Sequence, residues 1–283
     1  MFRLKNKTIL LSLPLLAMTI FPVQSQEVVD YANFRASYQF LSKTNIAQED
    51  FQRRDLIFVD IGSQVTKSYS RLNQISDSIT RAGIQQGLPI HTIREARENY
   101  RRSCTFSFYH WFHENRTIAT ARLVAYDFIY EDEIVIPQWT ITGEERNILG
   151  YSSIRAVANY RGREWIAYFT PEIPISRGPW KLWGLPGLIV KAYDSENLFR
   201  FELVGFEQVT NIPIILNTTS SNGNRFRQIN KAEFVRFERV LNDDFTAFFE
   251  LMTGSPLIME RRPERVSSYH IPIEPWEYAL RQR

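Results

Sequence analysis

A succession of aromatic and β-branched runs separated by turn-forming residues restricts the fold of this chain more than any other feature. Between residues 105 and 209 these runs are interrupted at residues 114–115, 161–162 and 194–197. Such runs favour β-strands, and short polar or glycine-containing breaks between them favour hairpins. The sequence therefore predicts consecutive antiparallel strands rather than strands that alternate with helices.

The N-terminal half of the chain adds strands and one short helix. A strand is predicted over residues 34–41, and residues 55–61 and 64–70 form two more around a tight turn at Gly62-Ser63. Apolar residues at helical spacing predict a short helix within residues 72–86. Residues 93–102 are charged, which is typical of either a short helix or a solvated connector.

One stronger helix is predicted near the C-terminus. Asn230 suits the N-cap, and Glu233 three residues later completes a capping box. A stripe of apolar residues, mainly phenylalanine, follows at helical spacing until Gly254. We expect this stripe to pack against the sheet. The predicted fold class is α+β: a large curved antiparallel β-sheet, half-barrel-like, with a C-terminal helix packed against it.

Residues 1–25 have the layout of a bacterial export signal. Arg3, Lys5 and Lys7 precede an uncharged apolar stretch over residues 8–21, which is too short to span a bilayer as a helix. Small residues at positions 23 and 25 suit a cleavage site. We therefore predict a signal peptide over residues 1–25 and a single β-rich domain over residues 26–283. The predicted location is the periplasm, with outer-membrane association or secretion left open.

Removal of that signal changes the charge of the chain. The full sequence carries 34 basic and 31 acidic residues, and the signal carries three of the basic ones, so 34 − 3 = 31 basic residues remain against 31 acidic. A net charge of zero gives no electrostatic support for nucleic-acid binding. We predict no nucleic-acid partner and no transmembrane span in the mature chain.

The most distinctive segment covers residues 163–194 and reads as a strand, a proline-kinked crossover and a second strand. Pro171 and Pro174 prevent ladder pairing after the first strand. Pro186 and Gly187 suit the two central positions of a type II turn, in which Gly187 takes a positive φ. The residues predicted to shape the crossover are Gly178, Pro179, Gly184, Pro186 and Gly187.

This segment resembles the GLPGLI family, which is named after the hexapeptide found here at residues 184–189. The similarity extends to residues 165–174, to Gly178-Pro179-Trp180-Lys181 and to Asp194. Many family members carry a cysteine where this chain has Ser153, so any role for that thiol is absent here. Members are exported bacterial proteins without an established activity, so the resemblance implies a location but no reaction.

Familiar catalytic and metal-binding patterns find little support. His110 and His113 are spaced by three residues in a strand-like run rather than by four on a helix, which argues against a metal site. Cys104 is the only cysteine and is expected to be a buried small apolar residue. A carboxylate pair for hydrolysis remains an alternative, with acidic residues available at Asp60, Glu131, Asp132, Glu133, Glu144 and Glu172.

Two hypotheses about function follow. The first is a non-catalytic envelope protein that acts as a carrier or a partner-binding module and needs no cofactor. Its candidate binding residues are Trp180, Trp183 and Trp165, and its partner would be an envelope protein, a peptide or a lipid. These tryptophans would otherwise anchor the crossover in the core. The second hypothesis is a carboxylate-based hydrolase or peptidase-associated enzyme.

Overall fold

The structure is a computed structural model that describes residues 27–44, 49–100, 104–255 and 271–275. The predicted signal peptide, residues 1–25, lies outside the described residues.

Within the described residues, twelve strands form one open sheet in the order β12-β6-β5-β4-β3-β2-β1-β11-β10-β9-β8-β7. The strands are β1 (Glu27–Ser42), β2 (Arg53–Gly62), β3 (Val65–Ser70), β4 (Phe106–Trp111), β5 (Arg116–Leu123), β6 (Tyr126–Asp132), β7 (Thr140–Ile148), β8 (Tyr151–Tyr160), β9 (Arg163–Thr170), β10 (Leu188–Asp194), β11 (Phe199–Leu216) and β12 (Arg227–Gln228). All neighbouring pairs are antiparallel except β12 with β6. The predicted α+β class with a large curved antiparallel sheet is confirmed.

The central pair, β1 and β11, is much longer than the sequence pattern predicts. The register between these strands shifts at three places along β1, between Val28 and Asp30, between Ala32 and Phe34, and between Ser37 and Tyr38. Such bulges bend a strand and increase its twist. They also interrupt the alternation of apolar and polar residues, which is why sequence periodicity underestimates the length of both strands.

The short hairpins follow their local sequence. Arg161 and Gly162 both take positive φ, 50° and 78°, as the favoured two-residue hairpin turn requires. Asn115 also has a positive φ of 48° in the turn between β4 and β5. These turns fix the register of the adjoining strands, so the predicted hairpins at residues 114–115 and 161–162 are confirmed.

The larger core lies on one face of the sheet. Tyr38, Trp165 and Phe169 from three strands are buried in this core, together with residues of the crossover between β9 and β10. The opposite face carries a smaller cluster that includes Tyr109 and Trp111 of β4. Because side chains alternate along a strand, Phe108 and His110 of β4 point to the crossover side.

The described helices are α1 (Arg71–Gln85), α2 (Ile90–Ala96), α3 (Lys231–Asp243) and α4 (Phe245–Thr253). Phe234 and Phe237 of α3 pack against Phe128 of β6, and Phe248 of α4 packs against Tyr126. The predicted packing of the C-terminal helical segment against the sheet is confirmed, as is the capping box of Asn230 and Glu233.

The prediction of one continuous helix from Asn230 to Gly254 is wrong. Asp244 interrupts it with an extended backbone, φ −151° and ψ 104°, and its side chain accepts hydrogen bonds from the backbone of Thr246 and Ala247. Aspartate is among the favoured N-cap residues because its carboxylate satisfies such free N–H groups. The phenylalanine stripe continues across the break and conceals it from a periodicity argument. Of the helices described, none has the length and apolar character needed to cross a membrane.

Candidate functional site: a pocket beneath the β9–β10 crossover

The crossover, residues 171–187, lies over the buried face of the sheet and is tied down by backbone hydrogen bonds. Leu188 N–H donates to the carbonyl of Ile173 at 3.0 Å, and Ile189 N–H donates to the carbonyl of Arg177 at 3.0 Å. The hydroxyl of Tyr38 on β1 also donates to the carbonyl of Ile189 at 2.8 Å. The crossover is therefore a fixed part of the fold.

The turn at its end differs from the predicted type II turn. Gly187 N–H donates to the carbonyl of Leu185 at 2.8 Å, which closes a three-residue turn around Pro186. In a type II turn the N–H of Leu188 would bond to Leu185 instead, but that N–H is held by Ile173. The prediction of a type II turn is wrong because a contact with the start of the crossover competes for the same donor.

Gly187 is required for a steric reason. Its φ is 156°, at the extended end of the positive range, and a Cβ placed there would overlap the backbone carbonyl of Thr170. Gly178 is similarly confined, because a Cβ there would lie 2.6 Å from the carbonyl oxygen of Leu182. Both glycines let the crossover approach neighbouring backbone closely.

Trp180 directs the middle of the crossover inward. It takes a positive φ of 57°, and its backbone N–H donates to Ser68 Oγ of β3 at 3.1 Å. Its indole ring lies 5.4 Å from that of Trp165 and 6.0 Å from the ring of Tyr160. Trp180 and Trp165 are therefore buried against each other, whereas Trp183 is only partly buried.

Beside Trp180 and Trp183 lies a pocket, called the crossover pocket below. It encloses about 450 Å³ of empty space, counting the part open to solvent. Strands β3, β4 and β5 form its floor, the chain after β6 forms one side, and the crossover forms the other. The lining residues are Thr66, Phe108, His110, Thr117, Glu133, Ile134, Val135, Tyr160, Arg161, Arg177, Gly178, Trp180, Lys181, Leu182 and Trp183.

Among the charged residues that line the pocket, Arg177 makes the closest contact with an aromatic ring. Its guanidinium carbon lies 3.5 Å from the ring centroid of Phe112 and 5.9 Å from that of Trp183. Burial lowers the pKa of Arg177 to about 10, so it remains a cation at neutral pH. Stacking on a ring face stabilises the cation and fixes the plane of its donors.

His110 lies next to this cation and is neutral. Its ring is 4.5 Å from that of Trp183, and its Nδ1 lies 2.9 Å from Thr117 Oγ1. Burial and then the positive charge of Arg177 lower the pKa of His110 to about 4. The histidine thus contributes a flat, partly polar wall without adding charge.

Three buried polar atoms of pocket-lining residues have no hydrogen-bond partner among the described residues: Thr66 Oγ1, Arg177 Nε and Trp180 Nε1. Two of them are N–H groups that can only donate, and the third is a hydroxyl that can donate or accept. Buried polar atoms are usually paired, so such a group of atoms around one pocket indicates a site for a ligand that accepts hydrogen bonds.

Next to the pocket five charged side chains meet in what we call the ion cluster: Asp132, Arg161, Lys181, Lys231 and Glu274. Glu274 lies 3.0 Å from Arg161, 3.0 Å from Lys181 and 2.6 Å from Lys231. Asp132 pairs with the same three cations, with a distance of 3.3 Å to Arg161 and 3.0 Å to Lys231. None of the five side chains is more than 15% exposed. Removal of one partner should therefore destabilise the fold far more than removal of one partner of a surface ion pair.

The electrostatics of the ion cluster favour ionised carboxylates. Burial alone would raise the pKa of Asp132, but Lys181, Arg161 and Lys231 together hold it well below its ordinary value. Burial likewise opposes ionisation of Glu274, and the same cations lower its pKa to about 2. Burial lowers the pKa of Lys181 from its ordinary value, although the two carboxylates oppose this effect.

Most of the carboxylates considered for hydrolysis are engaged by partners of their own. Asp60 pairs with Arg35, Glu131 with Arg116 and Glu144 with Arg146. Glu172 accepts a hydrogen bond from the backbone of Ser152, and Glu133 is exposed at the pocket. Asp132 instead shares its cations with Glu274, but a general acid for glycoside chemistry needs a raised pKa, and the pKa of each of these two groups is lowered.

Of the residues that line this pocket, sequence reasoning selected two as candidate binding residues. Trp180 and Trp183 both line the crossover pocket, whereas Trp165 lies fully buried beneath Trp180. Arg177 and His110 were not selected as binding residues. Arg177 is one of three charged residues in the crossover, with Glu172 and Lys181, so no local sequence signal distinguishes it. His113 is exposed in the β4–β5 turn, and the described residues bring no three potential metal ligands together.

Comparisons with known proteins give a short family match and a distant likeness in structure. A family model described as "Protein of unknown function (Porph_ging)" matches residues 160–191, which include the crossover. No curated protein matches the sequence.

Two solved structures of PNGF-II, in space groups P21 and C2, resemble the chain with a TM-score of 0.46 each, at 13% and 14% identity. They cover 72% and 71% of this chain. The chain spans only about a third of their length, 32% and 31% respectively.

Proposed function

We propose that the protein is an exported, non-catalytic binding protein of the bacterial envelope, of the GLPGLI type, and that it holds a ligand in the crossover pocket. The layout of residues 1–25 supports export, and the hexapeptide at residues 184–189 lies within the stretch matched by the family of unknown function. The ligand inserts an aromatic or aliphatic group between the crossover and the floor of the sheet.

The observation that carries this proposal is the partly exposed aromatic wall on a rigid support. His110 packs against both Trp183 and Phe112 with its ring tilted, and the ring centroids are 4.5 Å apart for His110 and Trp183 and 5.4 Å apart for His110 and Phe112. Ligand pockets are typically mostly apolar, largely pre-formed, and equipped with a few polar groups that orient the ligand. The hydrogen bonds that fix the crossover keep this wall in place without a ligand.

A neutral probe tests the proposal directly. We expect 3-phenylpropionamide to bind the wild-type protein with a dissociation constant of about 1 mM, as its number of atoms allows. Ligand-observed NMR and calorimetry measure this affinity. Trp183→Ala should weaken binding by about tenfold, because it removes the largest exposed ring of the wall.

A second aromatic truncation provides the control. Tyr31 is 54% exposed and does not line the crossover pocket, so Tyr31→Ala should leave the affinity unchanged. Absence of binding to the wild-type protein, by both the neutral probe and its carboxylate analogue, would overturn the proposed function. Mass spectrometry of material that co-purifies with the wild type and with Trp183→Ala then identifies the natural ligand.

A further inference from the structure

We propose that the crossover pocket is specific for a carboxylate attached to an apolar or aromatic body, with Arg177 as the group that pairs with the carboxylate. This inference rests on the proposed function and assigns a chemical class to its ligand. Both a small free acid and the C-terminal carboxylate of a peptide carry this chemistry.

Arg177 has donors available for an anion. It forms no ion pair with a carboxylate among the described residues, and one of its terminal nitrogens is engaged only by the carbonyl of Ser176 at 2.7 Å. Its Nε is buried and has no partner there. The guanidinium presents parallel N–H groups that match the two oxygens of a carboxylate, and its stacking on Phe112 fixes their plane.

Two other pocket-lining residues add buried groups that can donate hydrogen bonds. The indole N–H of Trp180 and the hydroxyl of Thr66 are buried without partners among the described residues. A ligand that supplies acceptor oxygens satisfies donors of this kind, whereas a cationic ligand would add further unpaired donors.

The charged side chains around the pocket match a ligand that carries one negative charge. Four cations line or adjoin it, namely Arg161, Arg177, Lys181 and Lys231. Three carboxylates, those of Asp132, Glu133 and Glu274, leave a balance of 4 − 3 = +1. A singly charged carboxylate matches this balance of +1, whereas a phosphate dianion would exceed it.

The rest of the wall suits the apolar body of such an acid. Phe108 provides a ring on the floor, Tyr160 at the end of β8 provides another, and Trp183 provides one on the crossover side. His110 is adjacent to Arg177 but uncharged at neutral pH, so it does not compete for the carboxylate. The pocket therefore combines one cation with an aromatic surface.

A matched pair of probes tests the carboxylate. We expect 3-phenylpropionate to bind the wild type at least about tenfold more tightly than 3-phenylpropionamide, because a charge-assisted pair replaces a neutral contact. Arg177→Gln should abolish this difference while leaving the affinity for the amide nearly unchanged. Arg236→Gln is the control, since Arg236 is exposed on α3 and the same charge is lost there.

Further measurements keep the test decisive if Arg177→Gln does not fold. Arg177→Lys keeps the charge but not the paired donors, so it should retain only part of the preference. In the wild type, the preference for the acid should shrink between low salt and about 1 M NaCl, while the affinity for the amide should not fall. The peptide acetyl-Gly-Gly-Phe, compared with its C-terminal amide, shows whether the carboxylate is also accepted at a chain end.

The outcomes separate the two proposals. If the wild type binds acid and amide equally, the carboxylate inference is overturned and the binding function stands. The inference is also overturned if Arg177→Gln and Arg236→Gln reduce the preference to the same extent. If neither probe binds at all, both proposals fail together.

Discussion

The carboxylate of Glu274 lies 3.0 Å from the ammonium group of Lys181, and this contact joins the described C-terminal segment to the crossover that forms the pocket. Arg163 holds the same segment through the carbonyls of Ile273 and Pro272 at 2.9 Å and 3.0 Å. Residues far apart in sequence thus determine where the crossover lies.

The Glu274→Gln variant should destabilise the protein by about 3 kcal/mol, because removal of one carboxylate leaves three buried cations with a single anion. Urea denaturation measures the free energy of unfolding. Glu196→Gln is the control, since Glu196 pairs with Arg163 but is 69% exposed, and its loss should change stability by less than about 1 kcal/mol. Equal effects of the two substitutions would show that the ion cluster contributes no more than a surface pair.

Acid should remove the stabilisation that the ion cluster provides. The pKa of Glu274 is about 2 in the folded protein, against 4.5 as its ordinary value, and the pKa of Asp132 is lowered as well. A carboxylate with a lowered folded pKa stabilises the fold above its unfolded pKa and loses this contribution as pH falls toward the folded one. The free energy of unfolding should therefore decrease from about pH 5 toward pH 2.

The comparison with Glu274→Gln isolates this contribution from that of other acidic groups. In urea titrations at several pH values, the decline should be shallower in the variant than in the wild type. An identical decline in both proteins would mean that Glu274 does not contribute to it.

Gly187→Ala should destabilise the fold by about 2 kcal/mol or more, because the added methyl group overlaps the carbonyl of Thr170. Gly205→Ala is the control. Gly205 lies within β11, and the atom nearest to an added Cβ there is 3.8 Å away, on Ser37, so its substitution should be nearly neutral. Thermal or urea unfolding distinguishes the two, and a Gly187→Ala protein as stable as Gly205→Ala would contradict the steric argument.

Local sequence signals predicted most of the strands and the short hairpins, because these depend on neighbouring residues, but they did not predict β7. Arg161-Gly162 identified its turn from two residues alone, and Asn230 identified the start of α3. The curved antiparallel sheet followed from the order of such elements.

The pocket and the ion cluster could not be predicted in this way, because their members come from different elements. Lys181 meets Asp132 of β6, and Arg177 meets Phe112 after β4, only once the crossover has folded across the sheet. A single sequence contains no local pattern that connects these pairs. The prediction of a type II turn at Pro186 failed for the same reason, since the competing acceptor, the carbonyl of Ile173, lies at the far end of the crossover.

Cys104 should be unreactive in the folded protein. It is 5% exposed, and burial raises the pKa of its thiol well above its ordinary value, so little thiolate is present at neutral pH. An Ellman assay should show slow reaction without denaturant and one fast-reacting thiol per chain in urea, where Cys104 is the only cysteine. Rapid reaction of the native protein would contradict the buried position.

Substitution of Trp165 and of Trp183 should distinguish an effect on stability from an effect on ligand binding. Trp165 is 0% exposed beneath Trp180, so Trp165→Ala should cost about 3–5 kcal/mol of the free energy of unfolding by leaving a large cavity. Trp183 is partly exposed at the pocket, so Trp183→Ala should cost much less stability and yet weaken the binding of 3-phenylpropionate by about tenfold. Urea unfolding and calorimetry on both variants measure the two quantities. If Trp183→Ala lost stability to the same extent as Trp165→Ala, Trp183 would be an anchor of the core rather than a wall of the site. If it kept full affinity, the ligand would lie elsewhere.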